Sequence, residues 1–201
     1  FCLSRGLGDV YKRQVQHLHS ALQAALQTQG FGINRGFAKA RARNLNLSQA
    51  FRGYALSLED LAQGKGLAEA KAGDWHYLVF DAGVSIADAQ LTEVAGKVGF
   101  SALNHGSLAA SAVNALDLAE QAPQLQGKSY ELRLLFISAL QVTAIWLHGP
   151  GEEVLIPIEP TPKTLAAHQL HSETALLALL APAALQTKAI FDADTSGTLG
   201  G

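Results

Sequence analysis

Residues 130–159 read YELRLLFISALQVTAIWLHGPGEEVLIPIE, and their alternation decides the fold. Tyr130, Leu132, Leu134 and Phe136 alternate with Glu131 and Arg133. Leu140, Val142, Ala144 and Trp146 alternate with Gln141 and Thr143, again the period of half-buried strands. His148-Gly149-Pro150-Gly151-Glu152 cannot continue a regular element, because Gly frees the backbone and Pro fixes φ and lacks an N–H. A reversal into Val154–Ile158 follows, and with it an antiparallel meander. Pro157 removes a ladder donor, which predicts that the last strand lies at the sheet rim. The link at Ile137-Ser138-Ala139 has no Gly or Asn for a primed turn, so one long strand bent by a bulge is the alternative. Leu134 and Trp146 each occupy the apolar phase of a strand and are expected in the main core.

Before this stretch, Leu108, Ala112, Ala115 or Leu116 and Ala119 share one helical face within residues 104–122, and Pro123 ends the run. This predicts a helix that packs on the sheet. Trp75–Phe80 has strand composition. Asp81-Ala82-Gly83 predicts a three-residue hairpin loop with Gly83 left-handed, returning along Val84 to about Leu91. Ser85–Asp88 also matches a capping box, and Ala87, Leu91, Val94 and Val98 form a helical stripe, so residues 84–98 stand between strand and helix. Phe51, Ala55, Leu58 and Leu61 recur at helical spacing despite Gly53, predicting one helix or two divided near Ser57, where Ser57–Asp60 forms a capping box. Further back, Val15–Gln29 predicts an amphipathic helix stopped by Gly30, and Phe37–Arg43 a short basic one. After the meander, Glu159-Pro160-Thr161-Pro162 predicts a stiff spacer, and Thr164–Leu180 an apolar helix that Pro182 should kink or end.

The expected fold class is therefore α+β: an antiparallel sheet of a hairpin plus a three-strand meander, with helices packed mainly on one face. Helix plus meander is broadly similar to cystatin-like or NTF2-like layouts, which host many functions. The expected organisation is a non-native or disordered segment over 1–14, one α+β domain over 15–160, a helical extension over 161–190 and a flexible tail over 191–201.

With 201 residues, 48% of them apolar, the chain is long enough for one domain with a substantial core. A formal net charge of −2 gives no electrostatic grip on nucleic acid or an anionic membrane. The longest apolar run, Leu176–Ala181, is far short of the roughly 20 residues of a membrane span. Cys2 is the one cysteine, so disulfides carry no stability and a cytoplasmic location is expected. The absence of methionine points to a fragment or a processed product.

Residues 4–14, SRGLGDVYKRQ, resemble the translated sequencing-adapter read-through at the ends of some metagenomic reading frames. The resemblance implies that the segment belongs to no fold, and setting it aside leaves 12 basic against 16 acidic residues. At the other end, Phe191-Asp192-Ala193-Asp194-Thr195-Ser196-Gly197-Thr198-Leu199 resembles the start of an EF-hand loop. Asp192, Asp194, Ser196, Gly197, Thr198 and Leu199 match loop positions 1, 3, 5, 6, 7 and 8. The resemblance implies Ca²⁺ as ligand, held by Asp192, Asp194, Ser196 and the Thr198 carbonyl. The chain departs from the pattern by stopping before the position-12 glutamate, and a solvated polar tail is the alternative.

No G-x-S-x-G elbow, P-loop, G-x-G-x-x-G or H-E-x-x-H occurs. His168 and His171 could share a helical face near Glu173 as a loose metal set, and His76, Asp81 and His105 could meet as an acid/base cluster beside Trp75. Strand alternation puts His76 and Trp75 on opposite faces, and Glu131 and Arg133 on one face read as solvated or mutually paired rather than catalytic. Three function classes remain. The preferred one, in the absence of catalytic signatures, is a noncatalytic binding or assembly module with a protein partner. The others are an enzyme with a site built from dispersed His and Asp residues, and a calcium-binding protein.

Overall fold

The computed structural model describes residues 45–95, 97–105 and 107–193. The expected helices over 15–29 and 37–43, the segment 1–14 and the positions beyond 193 lie outside them. Nine strands and three helices occur among the described residues, and the chain is α+β with mostly antiparallel sheet. The described residues divide into two compact units, one drawn from residues 45–52 and 74–113 and the other from residues 53–73 and 114–193.

In the first unit, β3 (Lys71–Asp81), β4 (Val84–Val94) and β5 (Lys97–His105) form an antiparallel meander, and β1 (Leu45–Leu47) pairs with β3. The β3–β4 turn has two residues rather than three, because Asp81 pairs with Val84 inside the ladder. Ala82 and Gly83 both take positive φ, 49° and 82°, the primed-turn geometry whose twist matches that of the strands. Residues 84–94 are strand, and the helical stripe through Val94 and Val98 is broken by Ala95, also left-handed at φ 51°. β5 was not expected from the sequence. Leu45, Tyr77, Val79, Ala87, Ala89 and Leu91 form this unit's apolar cluster, flanked by Trp75, Ile86 and Phe100.

β2 (Phe51–Ala55) corrects the expected helix there. Burial at Phe51 and Gly53 alternates with Arg52 and Tyr54, and Gly53 weakens a helix by about 1 kcal/mol. The helix starts only after Ser57, whose Oγ accepts the Asp60 N–H at 3.1 Å to cap α1 (Leu58–Ala62). α2 (Ser107–Gln121) buries Ala109, Ala112, Ala115 and Ala119.

In the second unit the strand order is β2, β6 (Glu131–Ile137), β7 (Val142–Gly149), β8 (Glu152–Ile158) and β9 (His171–Ser172). β6 and β7 are separate strands. The 3₁₀ turn Ser138–Leu140 ends on Gln141 at φ 53°, a left-handed residue doing what Gly or Asn would do more cheaply. Arg133 stands opposite Trp146 and Leu134 opposite Ile145. The two apolar phases of the sequence therefore lie on opposite faces, and Leu134 and Trp146 are buried on different sides of the sheet. The Trp146 side carries Leu135, Ile137, Val142, Ala144 and Leu155 in one core with Leu61 of α1 and Leu176, Leu180 and Ala184 of α3 (Glu173–Ala193). β8 is not the rim: Val154 and Leu155 pair with β9, and the Pro157 carbonyl accepts the His168 N–H at 2.8 Å.

The last helix begins at Glu173 instead of Thr164. His168 is left-handed, His171–Ser172 are tied to β8, and Ser172 Oγ accepts the Ala175 N–H at 3.2 Å as the cap. Pro182 does not end α3. Pro182 and Ala178 are both exposed, so the Ala178 carbonyl that loses its N–H partner can turn to water.

Candidate functional site

Two polar side-chain clusters stand out, one in each unit. In the first, alternation along β3 and β4 puts His76, Leu78, Asp88 and Gln90 on one sheet face. His76 Nδ1 lies 3.0 Å from both carboxylate oxygens of Asp88, Gln90 Nε2 donates to Asp88 Oδ2 at 3.3 Å, and Phe51 stacks on the imidazole at 5.8 Å. His76 and Asp88 are 2% and 1% exposed. A buried carboxylate is costly unless hydrogen-bonded, and this pair supplies that partner from the neighbouring strand.

The second cluster sits where the β6–β7–β8 face emerges from its core. Cross-strand pairing aligns Glu131, His148 and Glu153 in one row and Arg133, Trp146, Leu155 and His171 in the next. Arg133 donates to both Glu131 oxygens, Nε at 3.0 Å and Nη2 at 2.8 Å. Its guanidinium also lies 4.8 Å from the Trp146 ring centre and 4.9 Å from that of Tyr54, whose rings meet edge to face at 5.1 Å. Trp146 Nε1 donates to Glu153 Oε2 at 2.6 Å, and His148 Nδ1 lies 2.7 Å from Glu153 Oε1. The Arg133 hydrogen bonds hold the Glu131 carboxyl below its ordinary range. Burial pushes the His171 imidazole down, and its Nε2 is enclosed without a hydrogen-bond partner.

The sequence-derived groupings come out differently. His76 meets Asp88 rather than Asp81, which ends β3 opposite Leu45 and Val84. His105 pairs through its backbone with Ala87. His168 precedes the helix, His171 is in β9, and Glu173 Oε1 accepts the Leu67 N–H at 2.7 Å, so the three do not share a helical face. Glu131 and Arg133 are mutually paired. Asp192 lies in the last turn of α3 with its carboxylate 3.0 Å from Lys188 Nζ, and Asp194, Ser196 and Thr198 lie outside the described residues. No group of three His, Cys, Asp or Glu side chains able to hold a metal ion occurs among the described residues. Asp88, His148 and Glu153 were not singled out by sequence reasoning. A carboxylate set among Ile86, Ala87, Ala89 and Leu91 was the available signal for Asp88.

Comparison with family models, curated proteins and solved structures finds no match to the chain.

One surface differs in kind from these clusters. α3 buries Leu176, Leu180 and Ala184, yet its Leu179, Leu185 and Ile190 are 55%, 58% and 54% exposed. By length and composition the helix is also apolar enough to cross a membrane.

Proposed function

We propose that the chain is a noncatalytic binding or assembly module whose protein partner docks on the outer face of α3. The carrying observation is the exposure of Leu179 and Leu185, one on either side of Pro182, on a helix whose inner face is already committed to a core. Exposed large apolar side chains clustered on one element mark interaction surfaces, whereas scattered ones do not. The second polar cluster supports the same reading, since Arg133 is paired with Glu131 and Trp146 with Glu153. Helices mainly on one side of the sheet fit it too, supported by the core that α1 and α3 share with Leu135, Ala144 and Leu155.

The test is binding of an environment-sensitive apolar dye to the 201-residue chain and to the Leu179→Glu/Leu185→Glu variant. The variant should lose most dye binding while keeping its melting temperature within about 2 °C, as exposed sites do. Unchanged dye binding ends this reading.

The enzyme reading rests on one specific observation: Glu153 orients the imidazole of His148, which is 39% exposed and thus open to a docking molecule. Carboxylate-held imidazoles serve as general bases. His148→Ala with loss of a turnover found by substrate screening supports it, and retained turnover removes it.

A further inference from the structure

The outer stripe of α3 reads nearly alike in both directions from Pro182. Three, four and seven residues before it stand Leu179, Ala178 and Ala175, and three, four and seven after it stand Leu185, Gln186 and Ala189. All seven positions are exposed. At about 100° per residue these offsets place them on one helical face. A two-fold axis through such a stripe sets each residue against its mirror position, which is the requirement for an isologous contact.

We propose that α3 pairs antiparallel with α3 of a second copy of this chain, across a two-fold axis at Pro182, with Leu179 packed on the partner's Leu185. The inference rests on the association reading above and names its partner. Self-complementarity of the stripe favours a second copy over an unrelated protein. The inner face favours it over a lipid bilayer: Leu176, Leu180 and Ala184 are held in the core, and Lys188 is tied to Glu59 and Asp192 at 2.8 and 3.0 Å. From Ala175 to Ala189 the stripe runs about 21 Å at ~1.5 Å per residue. A strip of that length and one helix wide buries on the order of 400 Å² per copy, less than the ~600 Å² per partner at the lower end of stable interfaces. The pair is accordingly weak, forming at high micromolar concentration and exchanging freely.

Sedimentation velocity on the 201-residue chain carrying Cys2→Ser, from ~5 µM to ~1 mM, tests this. The weight-average coefficient should rise with concentration, and Leu179→Glu/Leu185→Glu should flatten the rise. Two further variants in the same background locate the axis. Pro182→Cys puts its thiols at the crossing and should give a disulfide-linked dimer on mild oxidation. Thr174→Cys puts them about 24 Å apart at ~1.5 Å per residue and should link at least tenfold more slowly. A monomer throughout, a dimer indifferent to the double substitution, or equal linking at 174 and 182 overturns the pairing. Vesicle co-sedimentation that the double substitution abolishes also overturns it, in favour of lipid. If the chain stays monomeric while the double variant still loses dye binding, the homodimer falls and the association reading stands.

Discussion

Glu173 occupies the space that Gly66 leaves open. Its Oε1 accepts the Leu67 N–H at 2.7 Å, and a Cβ on Gly66 would stand 2.3 Å from that same oxygen. The contact joins the first residue of α3 to the start of the 3₁₀ turn Leu67–Glu69, across 106 positions of chain. Gly66→Ala should therefore expel the carboxylate and cost about 1.5–3 kcal/mol, the range for a hydrogen bond to a charged group. In a Glu173→Ala background the same substitution should cost under about 0.5 kcal/mol, because nothing is left to displace. Urea titration of the four proteins closes the cycle, and equal costs in both backgrounds would refute the relationship.

Trp146 is engaged on several sides at once, 3% exposed, under Arg133, against Tyr54 and bonded to Glu153. Trp146→Ala should cost ~3–5 kcal/mol. Trp146→Phe keeps the ring but leaves Glu153 without its indole donor, and should cost about 1–2 kcal/mol. Trp75 remains as a fluorescent reporter of unfolding. A loss below about 1 kcal/mol for the alanine variant would mean that the β6–β7 register is wrong.

Two groups give stability a pH dependence in separate windows. The folded-state value of His171 is depressed by burial, so its contribution is complete above the unfolded value near 6.5 and declines as pH falls from there through the folded value. The Glu131 carboxyl is depressed by its hydrogen bonds from Arg133, so its contribution is present above about 4.5 and is lost below that. His171→Gln should flatten the denaturation midpoint between pH 7 and 5 relative to the parent, and Glu131→Gln should flatten it only below pH 4.5. Midpoints measured every half unit check the assignment, and an unchanged profile in either variant removes that group.

Strand composition and turn chemistry were legible where they were local. Trp75–Phe80 and a tight turn with Gly83 left-handed came through, the turn one residue shorter than expected, because strand composition and turn chemistry act over neighbouring residues. Phe51–Ala55 misled because four helically spaced apolar residues bridged a strand and a capped helix, and spacing alone cannot see the boundary at Ser57. β5 was obscured in the same way: Val98 completed a helical stripe from Ala87, although Val98, Phe100 and Ala102 also alternate. His76 was correctly set on the face opposite Trp75, yet that face is buried as well, and a period of two does not tell a solvated face from a covered one. The pairing of His76 with Asp88 depends on which strand returns beside β3 and in what register, which the eleven intervening residues do not encode locally. Glu153 meets Trp146 and His148 only once β7 and β8 are zipped.

The tail returns the question of calcium to Asp192. In an EF-hand the first ligand sits just past the end of a helix, and Asp192 stands in the last turn of α3 with its carboxylate on Lys188. Asp192, Asp194, Ser196 and the Thr198 carbonyl offer at most about four oxygens, where Ca²⁺ takes 6–8, and Lys188 competes for the first. The 201-residue chain should thus bind Ca²⁺ more weakly than ~1 mM. A chain lengthened with Glu at the twelfth loop position, two residues after Gly201, gains two oxygens from one side chain. It should bind measurably, lose binding on Asp192→Ala and bind more tightly on Lys188→Gln, which frees the carboxylate. Calorimetric titration with CaCl₂ decides it: no heat from the lengthened chain, or heat indifferent to Asp192→Ala, reduces Asp192–Leu199 to a solvated tail.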